Sequence, residues 1–403
     1  MKVRIDSGQT RATSRTLREL GVAGPALLLD EVRVRRNITR MAARAAEAAV
    51  RLRPHAKTHQ SAAIARWLAE AGADGIAVSS LPMARYFAEH GWRDITVARL
   101  VHPGEAAGLA ELARTVGTAP DGGPAIGVPV DDPSLPGALA SELGGARLRF
   151  WIKVDAGYGR TGVRWDDRQR LSAVARAVRT AGAGPLAGVL THTGQAYGAA
   201  GPDRLSALYD RTVERLSHAA RAAADDPRVS GPPLLLSAGD TPTCSAARSL
   251  EGTDEIRPGN FVFYDLMQVR LGACEPTDVG VAVACPVLGV YPDRGELVIH
   301  GGAVHLSKES LPGPAATPSF GQLALASADG FGQPVPGTWL STLSQEHGVV
   351  GAEPAVFDAA LADLRPGDLV LVLPVHSCLT ADLYGSYLTM TGRRIERRPG
   401  GAS

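Results

Sequence analysis

The sequence predicts an α/β protein in which a (β/α)8 TIM-like barrel over residues 25–270 precedes a second, mainly antiparallel β domain over residues 271–403. Short apolar runs alternate about eight times with Ala- and Arg-rich helical segments in the first part, which is typical of a parallel sheet covered by helices. After Ala273 the chain changes to Val, Gly and Pro with short alternating runs, which indicate antiparallel strands. A length of 403 residues is sufficient for two domains.

The predicted elements follow one another in a regular order. Residues 25–30 predict a first strand, and residues 31–50, which contain neither Gly nor Pro, predict a helix. Further strand-like runs of the barrel lie at 50–52, 74–78, 94–100, 125–128, 148–154, 186–191 and 233–237. Those of the β domain lie at 279–290, 295–300 and 368–373, and the Gly- and Pro-rich stretch 313–337 predicts a loop or an inserted hairpin. Residues 1–24 predict a tail or first helix, which could also contribute to the β domain.

Composition excludes several classes of partner. Hydrophobic residues make up 45% and charged residues 21% of the chain, and the formal net charge is +1, so no basic surface for nucleic acid is expected. No apolar run is long enough to span a membrane, and residues 1–20 lack a signal-like apolar core, which predicts a cytoplasmic protein with no membrane partner. The four cysteines form no CxxC pair, which argues against a disulfide scaffold.

Lys57 is the first candidate catalytic residue. It lies in Arg-Pro-His-Ala-Lys-Thr-His at 53–59, between a strand-like run and a helix-like segment. In a barrel, catalytic groups collect where the strands end, at their carboxyl termini. An extended chain would point His55, Lys57 and His59 to one side, which makes Lys57 a candidate amine for a Schiff base. A solvated loop lysine is the alternative.

The motif Pro-His-x-Lys-Thr-His resembles the pyridoxal-phosphate lysine segment of the D-serine dehydratase and D-threonine aldolase family, which belongs to the alanine-racemase-like, fold-type III pyridoxal-phosphate enzymes. Together with the matches below, the resemblance extends over residues 25–384. It implies that Lys57 and His55 bind pyridoxal 5′-phosphate. It also implies a small D-amino acid as the substrate and a homodimer as the assembly.

Two further segments resemble those that surround the cofactor ring in this family. Asp-x-Gly-x-x-Arg-x-Gly at 155–162 implies that Arg160 lies beside the pyridoxal ring. His-x-Gly-Gln-x-Tyr at 192–197 implies that His192 and Tyr197 lie near the cofactor, and we assign Gln195 to the substrate. A surface ion pair for Arg160 and a hydrogen-bonded core position for His192 are the alternatives.

A phosphate-binding turn is predicted at 237–243, Ser-Ala-Gly-Asp-Thr-Pro-Thr. Glycine lets backbone N–H groups approach a dianion, and threonine hydroxyls can donate to it. The family has a similar Gly-Ser-Thr-Pro-Thr, which implies that Gly239 and Thr241 bind the phosphate. Here Asp240 replaces the serine, so either its side chain turns away or the phosphate site is altered.

His376 and Cys378 are the candidate metal ligands. They follow a strongly β run, and residues i and i+2 of an extended chain share a face, so an imidazole nitrogen and a thiolate could reach one ion. These donors favour zinc, with Mn²⁺ or another divalent metal as alternatives. The segment resembles the family's Pro-x-His-x-Cys ending, which implies metal binding and favours the dehydratase branch over the aldolase branch, where the ligands are of the His-x-Asp type. A free cysteine beside an ordinary histidine is the alternative.

Three other segments resemble the family in part. Residues 255–265 match the segment that closes the barrel, where a tyrosine and an aspartate sit near the phosphate, and this assigns Tyr264 to the pocket. Glu-His-Gly at 346–348 implies a position near the active site for His347, which could contact the substrate. The family's Asp-x-Gly segment appears here with His300 in place of the aspartate, a change that could alter the substrate.

Together these residues predict a lyase that eliminates water from a D-β-hydroxy amino acid, of the D-serine or 3-hydroxyaspartate type, to give a 2-oxo acid and ammonia. The cofactor ring serves as an electron sink, released Lys57 as the general base, and the metal as a Lewis acid on the departing hydroxide. The D configuration follows from the resemblance alone. The alternatives are an aldolase that gives glycine and an aldehyde, an amino-acid racemase, and a pyridoxal-phosphate-binding protein without turnover.

Overall fold

The computed structural model describes residues 6–199, 201–225, 232–327 and 330–399, which divide into two compact units. The barrel unit contains Thr39–Gly259 and Leu271–Ala273. The β unit contains the described residues up to Ile38, then Asn260–Arg270 and the residues from Cys274 onward. Within these described ranges, no helix has both the length and the apolar character of a membrane span.

Helices and strands alternate in the first two thirds of the chain, and strands dominate the remainder. The helices are α1 Ser7–Glu19, α2 Glu31–Glu47, α3 Ala62–Glu70, α4 Leu81–Glu89, α5 Ala106–Val116, α6 Leu135–Glu142, α7 Arg168–Ala181, α8 Pro202–Ala224, α9 Thr241–Ala246, α10 Leu266–Leu271, α11 Ala303–Leu306, α12 Pro354–Val356 and α13 Ser377–Asp382. The strands are β1 Ala26–Leu29, β2 Arg51–Leu52, β3 Ile76–Val78, β4 Ile95–Val97, β5 Ile126–Val130, β6 Arg149–Asp155, β7 Val163–Arg164, β8 Leu186–Leu190, β9 Leu235–Ala238, β10 Glu255–Ile256, β11 Val281–Tyr291, β12 Glu296–His300, β13 Leu311–Pro312, β14 Pro318–Ser319, β15 Gly321–Ser327, β16 Gly330–Pro334, β17 Thr338–Leu343, β18 His347–Ala352, β19 Leu369–Pro374, β20 Ser386–Thr389 and β21 Arg394–Glu396.

The barrel unit is built on one parallel sheet. Its strands lie in the order β2–β10–β9–β8–β6–β5–β4–β3, and the short β7 pairs with the end of β6. A parallel bridge between His55 and Ala77 joins the two ends of this order, so the strands close into a barrel. Strands β3, β4 and β5 are buried at every position, as expected for parallel strands covered on both faces. The predicted (β/α)8 class is confirmed.

A buried ionic cluster ties β2 to its neighbours. Arg53 follows β2 and is fully buried, with Nη1 at 2.8 Å from Asp94 Oδ1 and Nε at 2.6 Å from Glu255 Oε2. Arg51 and Arg149 also contact Asp94 Oδ2, at 2.8 and 3.5 Å. Although burial opposes ionisation, Arg53 lowers the pKa of Asp94 to about 2. The cluster therefore holds the chain shortly before the Lys57 segment.

The β unit is mainly antiparallel, as predicted. Its larger sheet has the order β16–β15–β19–β11–β1–β20–β21, and β12, β18 and β17 extend it from β11. The strand predicted at 25–30 is β1, which pairs with β11 and β20, whereas the sequence pattern placed it at the start of the barrel. A short buried run has the same composition in either sheet, and only its long-range pairing distinguishes the two.

The helix α1 packs within the β unit. Asp6 caps it by accepting a hydrogen bond from the N–H of Gln9 at 3.0 Å. On its apolar side, Leu17 joins the buried cluster that contains Leu28 of β1 and Leu371 of β19. Residues near the start of the chain thus complete the core of the unit formed by residues near its end.

Candidate active site

Lys57 lies in a turn just beyond the carboxyl end of β2, and its side chain is exposed. The backbone before it is held from both sides of the barrel. His55 N donates to Pro258 O, and Ala56 N donates to Ala77 O, both at 2.8 Å. Lys57 N donates to His55 Nδ1 at 3.4 Å. The amine of Lys57 is therefore accessible on a rigid part of the barrel rim.

His59 does not share a face with Lys57, in contrast to the alternation expected from the sequence. Residues 56–59 form a turn, and His59 is buried whereas Lys57 is exposed. The His59 ring meets the ring of Phe87 edge to face, with centroids 5.9 Å apart. The expectation of an extended segment through His59 is wrong, because the chain turns here to enter α3.

Basic side chains meet around Lys57 at the carboxyl ends of neighbouring strands. Lys153 lies near the end of β6, His192 follows β8 and Arg257 follows β10. Burial lowers the pKa of Lys153 to about 7 and that of Arg257 to about 10. Burial also lowers the pKa of His192 to about 3, and burial and Lys57 hold that of His55 well below its usual value. This concentration of buried basic groups favours an anionic ligand, and a phosphate-bearing cofactor fits it.

Arg160 belongs to a glycine-rich loop that Asp155 organises. Asp155 Oδ1 accepts hydrogen bonds from the N–H groups of residues 157–159 at 2.8, 2.9 and 3.0 Å. The Arg160 guanidinium lies over the Tyr158 ring at 5.2 Å, and the Tyr158 ring meets that of His192 at 5.8 Å. Tyr158, which was not predicted from the sequence, therefore contacts both Arg160 and His192.

His192, Gln195 and Tyr197 lie together beyond β8. The Nδ1 atom of His192 is 2.7 Å from Gly239 O, and its ring is 6.4 Å from that of Tyr197. His192 is thus hydrogen-bonded, as the alternative role of a core histidine requires. It also lies among the basic side chains around Lys57. The buried Oε1 atom of Gln195 has no hydrogen-bond partner among the described residues. A buried acceptor of this kind calls for a ligand or water donor.

The predicted phosphate turn connects β9 to α9, which begins at Thr241. Gly239 has no room for a side chain, because a Cβ atom there would lie 2.8 Å from Arg257 Cβ. Asp240 caps α9, and its carboxylate accepts from the N–H and the hydroxyl of Thr243 at 2.7 and 2.6 Å. Burial raises the pKa of Asp240 to about 6. Of the two alternatives for the serine replacement, the structure shows a side chain that turns into the helix cap.

His376 and Cys378 are brought together at the start of α13. His376 is the N-cap residue, and Cys378 lies in the first helical turn, not in the extended segment that the sequence predicted. Their side chains are hydrogen-bonded, and although burial opposes the charge, this contact raises the pKa of His376 to about 9. The buried Nδ1 atom of His376 has no hydrogen-bond partner among the described residues. Adjacent nitrogen and sulfur donors with an unused nitrogen fit a zinc-type ion.

Asp265 braces the segment that carries this pair. Its Oδ2 atom accepts from Ser377 N at 2.9 Å and from Asn260 Nδ2 at 2.6 Å, and its Oδ1 atom accepts from Gln268 N at 3.0 Å. Asn260 Nδ2 also lies 3.5 Å from Cys378 Sγ. This role of Asp265 is not evident from the sequence, because Ser377 lies 112 residues further along the chain.

Tyr264 and His347 lie in the β unit. Tyr264 is buried with a positive φ of 49°, and its N–H donates to Asn260 O at 2.6 Å. His347 is exposed and lies opposite His300 where β12 pairs with β18. Their contacts with cofactor and substrate stay predictions.

Comparisons with known proteins agree over nearly the whole chain. Residues 29–266 match the family described as alanine racemase, N-terminal domain, and residues 280–390 match the putative serine dehydratase domain. D-threo-3-hydroxyaspartate dehydratase of Delftia sp. (strain HT23) is 34% identical over 90% of this chain and 93% of that protein. D-serine dehydratase of Dictyostelium discoideum is 26% identical over 90% and 91%. A solved cysteine-to-alanine mutant of D-threo-3-hydroxyaspartate dehydratase in the metal-free form is 31% identical over 94% and 98%, with a TM-score of 0.83.

Proposed function

Since this chain belongs to the alanine racemase N-terminal domain family and carries a serine dehydratase-type second domain, we propose that it is a pyridoxal-phosphate- and metal-dependent lyase that removes water from a D-β-hydroxy amino acid. The substrate is of the 3-hydroxyaspartate or serine type, and the products are a 2-oxo acid and ammonia. The observation that carries the proposal is the hydrogen-bonded His376–Cys378 pair, because a nitrogen and a thiolate offer a metal site with open positions for a substrate hydroxyl.

Residues of the barrel unit would hold the pyridoxal phosphate. Lys57 offers the amine, and Gly239 and Thr241 offer backbone and hydroxyl donors to the phosphate. Further contacts are proposed for His55, Arg160, His192, Tyr197 and Tyr264. When bound, pyridoxal phosphate would supply an electron sink for the electron pair left at Cα.

Lys57 would take the proton from Cα. The Cβ–O bond then breaks, and the hydroxyl departs as water after gaining a proton. The released enamine rearranges to an imino acid, which water hydrolyses to the 2-oxo acid and ammonia. His192 stays neutral in this step because its pKa is about 3, so it can hold a hydrogen bond without adding charge. Arg160 would supply positive charge beside the cofactor ring.

Zinc is the ion that we propose for His376 and Cys378, with Mn²⁺ or another divalent metal as alternatives. When bound, the metal would act as a Lewis acid on the β-hydroxyl. Gln195 and His347 are proposed to contact the substrate. We further propose a homodimer, which light scattering would detect as twice the chain mass of 42.0 kDa, and a cytoplasmic location.

The proposal is tested by incubating the purified protein with pyridoxal phosphate, zinc and D-serine, D-threonine or D-threo-3-hydroxyaspartate. A 2-oxo acid and ammonia that disappear with a chelator are expected. Lys57→Ala should lose both the product and the cofactor absorbance shift, and Cys378→Ser should lose chelator-sensitive turnover. Cys274→Ser is the matched control and should keep it. Glycine and an aldehyde would instead place the enzyme with the aldolases, and cofactor binding without any product would indicate a binding protein.

A further inference from the structure

We propose that the β unit carries a second site for a divalent transition-metal ion, formed by His300, His305 and Glu346. One ligand atom from each of these residues lies within 4.8 Å of the others. The Glu346 Oε2 atom is 3.4 Å from His300 Nε2 and 4.0 Å from His305 Nε2. The two imidazole rings meet edge to face with centroids 5.1 Å apart. Among the described residues, this group includes neither His376 nor Cys378.

The backbone positions these three side chains before any ion arrives. His300 ends β12, His305 lies on α11, and Glu346 directly precedes β18, which pairs with β12. Gly301 N donates to Glu346 O at 3.0 Å. A Cβ atom on Gly302 would lie 2.2 Å from Gln345 O, so only glycine permits this approach of the two segments. The donors therefore come from three segments that are locked to one another, which lowers the cost of ordering them around an ion.

The donor set identifies the class of ion. Two imidazole nitrogens and one carboxylate oxygen suit Zn²⁺, Co²⁺ and similar first-row metals better than Ca²⁺ or Mg²⁺, which prefer oxygen ligands. Three protein ligands leave a position for water. The side chains of His305, His300 and Glu346 are 18%, 38% and 48% exposed, so an ion can enter from solvent.

The His305 ring presents its Nε2 atom to Glu346 Oε2 at 4.0 Å. Its Nδ1 atom is buried and has no hydrogen-bond partner among the described residues. Thr380 Oγ1 donates to Leu306 O at 3.0 Å, so α11 is tied to α13, the helix that carries Cys378.

Cobalt binding by the full-length protein distinguishes the two metal sites. A thiolate ligand gives a sulfur-to-cobalt charge-transfer band, and a site of two histidines and a glutamate gives only weak visible bands. We expect Cys378→Ser to lose the charge-transfer band and still bind one Co²⁺ per chain, measured by elemental analysis after gel filtration. Adding His305→Ala to that variant should abolish the remaining ion. Glu346→Gln, which preserves the shape of the side chain, should abolish it as well.

His102→Ala is the matched control. His102 Nε2 lies 3.5 Å from Glu105 Oε2 on an exposed part of the barrel unit, so it forms a His–Glu pair without a second imidazole, and its loss should leave the cobalt content unchanged. Circular dichroism verifies that each variant is folded. The inference is overturned if Cys378→Ser binds no cobalt, or if the folded Glu346→Gln variant keeps the full metal content. It stands apart from the proposed lyase activity, because the measurement counts ions and needs no turnover.

Discussion

Replacing Asp265 with asparagine tests whether this carboxylate positions His376 and Cys378, the proposed metal ligands. The substitution keeps the size of the side chain, but one of its oxygens becomes an NH₂ group that faces the donors of Ser377, Asn260 or Gln268. At least one of the hydrogen bonds of 2.6–3.0 Å is therefore lost. A hydrogen bond to a charged acceptor contributes about 1.5–3 kcal/mol. Loss of an outer contact to a metal ligand weakens metal binding about 10- to 100-fold, which corresponds to about 1.4–2.8 kcal/mol.

The assay is a Co²⁺ titration of the folded protein that follows the sulfur-to-cobalt band, because this band reports only the site with Cys378. Asp265→Asn should raise the dissociation constant by the stated factor and leave the band at saturation present. Asp363→Asn is the control, since Asp363 is exposed and its side chain contacts only surface groups, a hydrogen bond with Ser7 and an ion pair with Arg11 at 3.0 Å. An unchanged dissociation constant in Asp265→Asn would refute the positioning role.

Three further predictions concern the barrel unit. Arg53→Met should reduce the free energy of unfolding by about 3–5 kcal/mol at pH 7, because Asp94 and Glu255 lose their buried partner. Urea unfolding measures this free energy, and a decrease of less than about 1 kcal/mol would contradict the prediction. The pKa of Asp94 is lowered from 3.8 to about 2, so the ionised carboxylate stabilises the folded protein fully above pH 3.8 and loses this effect as the pH falls towards 2. The difference in unfolding free energy between the wild type and Arg53→Met should therefore shrink in acid. Asp240→Ser should tighten pyridoxal-phosphate binding more at pH 8 than at pH 5. The carboxylate has a pKa of about 6, so it is mostly charged, and repels the phosphate, at the higher pH. Equal effects of the substitution at both pH values in an absorbance titration would count against this. Gly239→Ala should weaken cofactor binding at least tenfold, about 1.4 kcal/mol, because the alanine Cβ would lie 2.8 Å from Arg257 Cβ. A cofactor affinity equal to that of the wild type would show that the turn can relax.

Much of the barrel could be predicted from the sequence because its parallel strands are buried on both faces. Such strands appear as continuous apolar runs, and the candidate residues directly follow them: Lys57 after β2, His192 after β8 and Gly239 after β9. The assignment of residues 25–30 differed from the structure for a physical reason. The four residues of β1 are apolar in any buried sheet, and their partners in β11 are about 250 residues away in the chain.

The parts of the candidate site that consist of local motifs could be predicted from the sequence. The parts that depend on long-range contacts could not. The contact of Tyr158 with Arg160 depends on the turn that the glycines make after β6. The hydrogen bond by which Asp265 holds the segment of His376 and Cys378 joins residues more than a hundred positions apart. Arg257 lay within a segment that the sequence analysis quoted, but its burial was not visible there. A buried arginine with a lowered pKa is recognisable only once the barrel is closed.

Burial explains how basic groups and an aspartate can lie together on the barrel rim. Desolvation penalises the charged form of every group, so Lys153 and His192 shift towards neutrality from one side and Asp240 from the other. The rim therefore carries less charge than its composition suggests. A nearby phosphate or carboxylate would favour the charged form of Lys153, whose pKa of about 7 makes its protonation the most easily shifted at neutral pH. His192, with a pKa of about 3, stays neutral. We therefore expect the proposed binding of cofactor and substrate to be accompanied by proton uptake near Lys57.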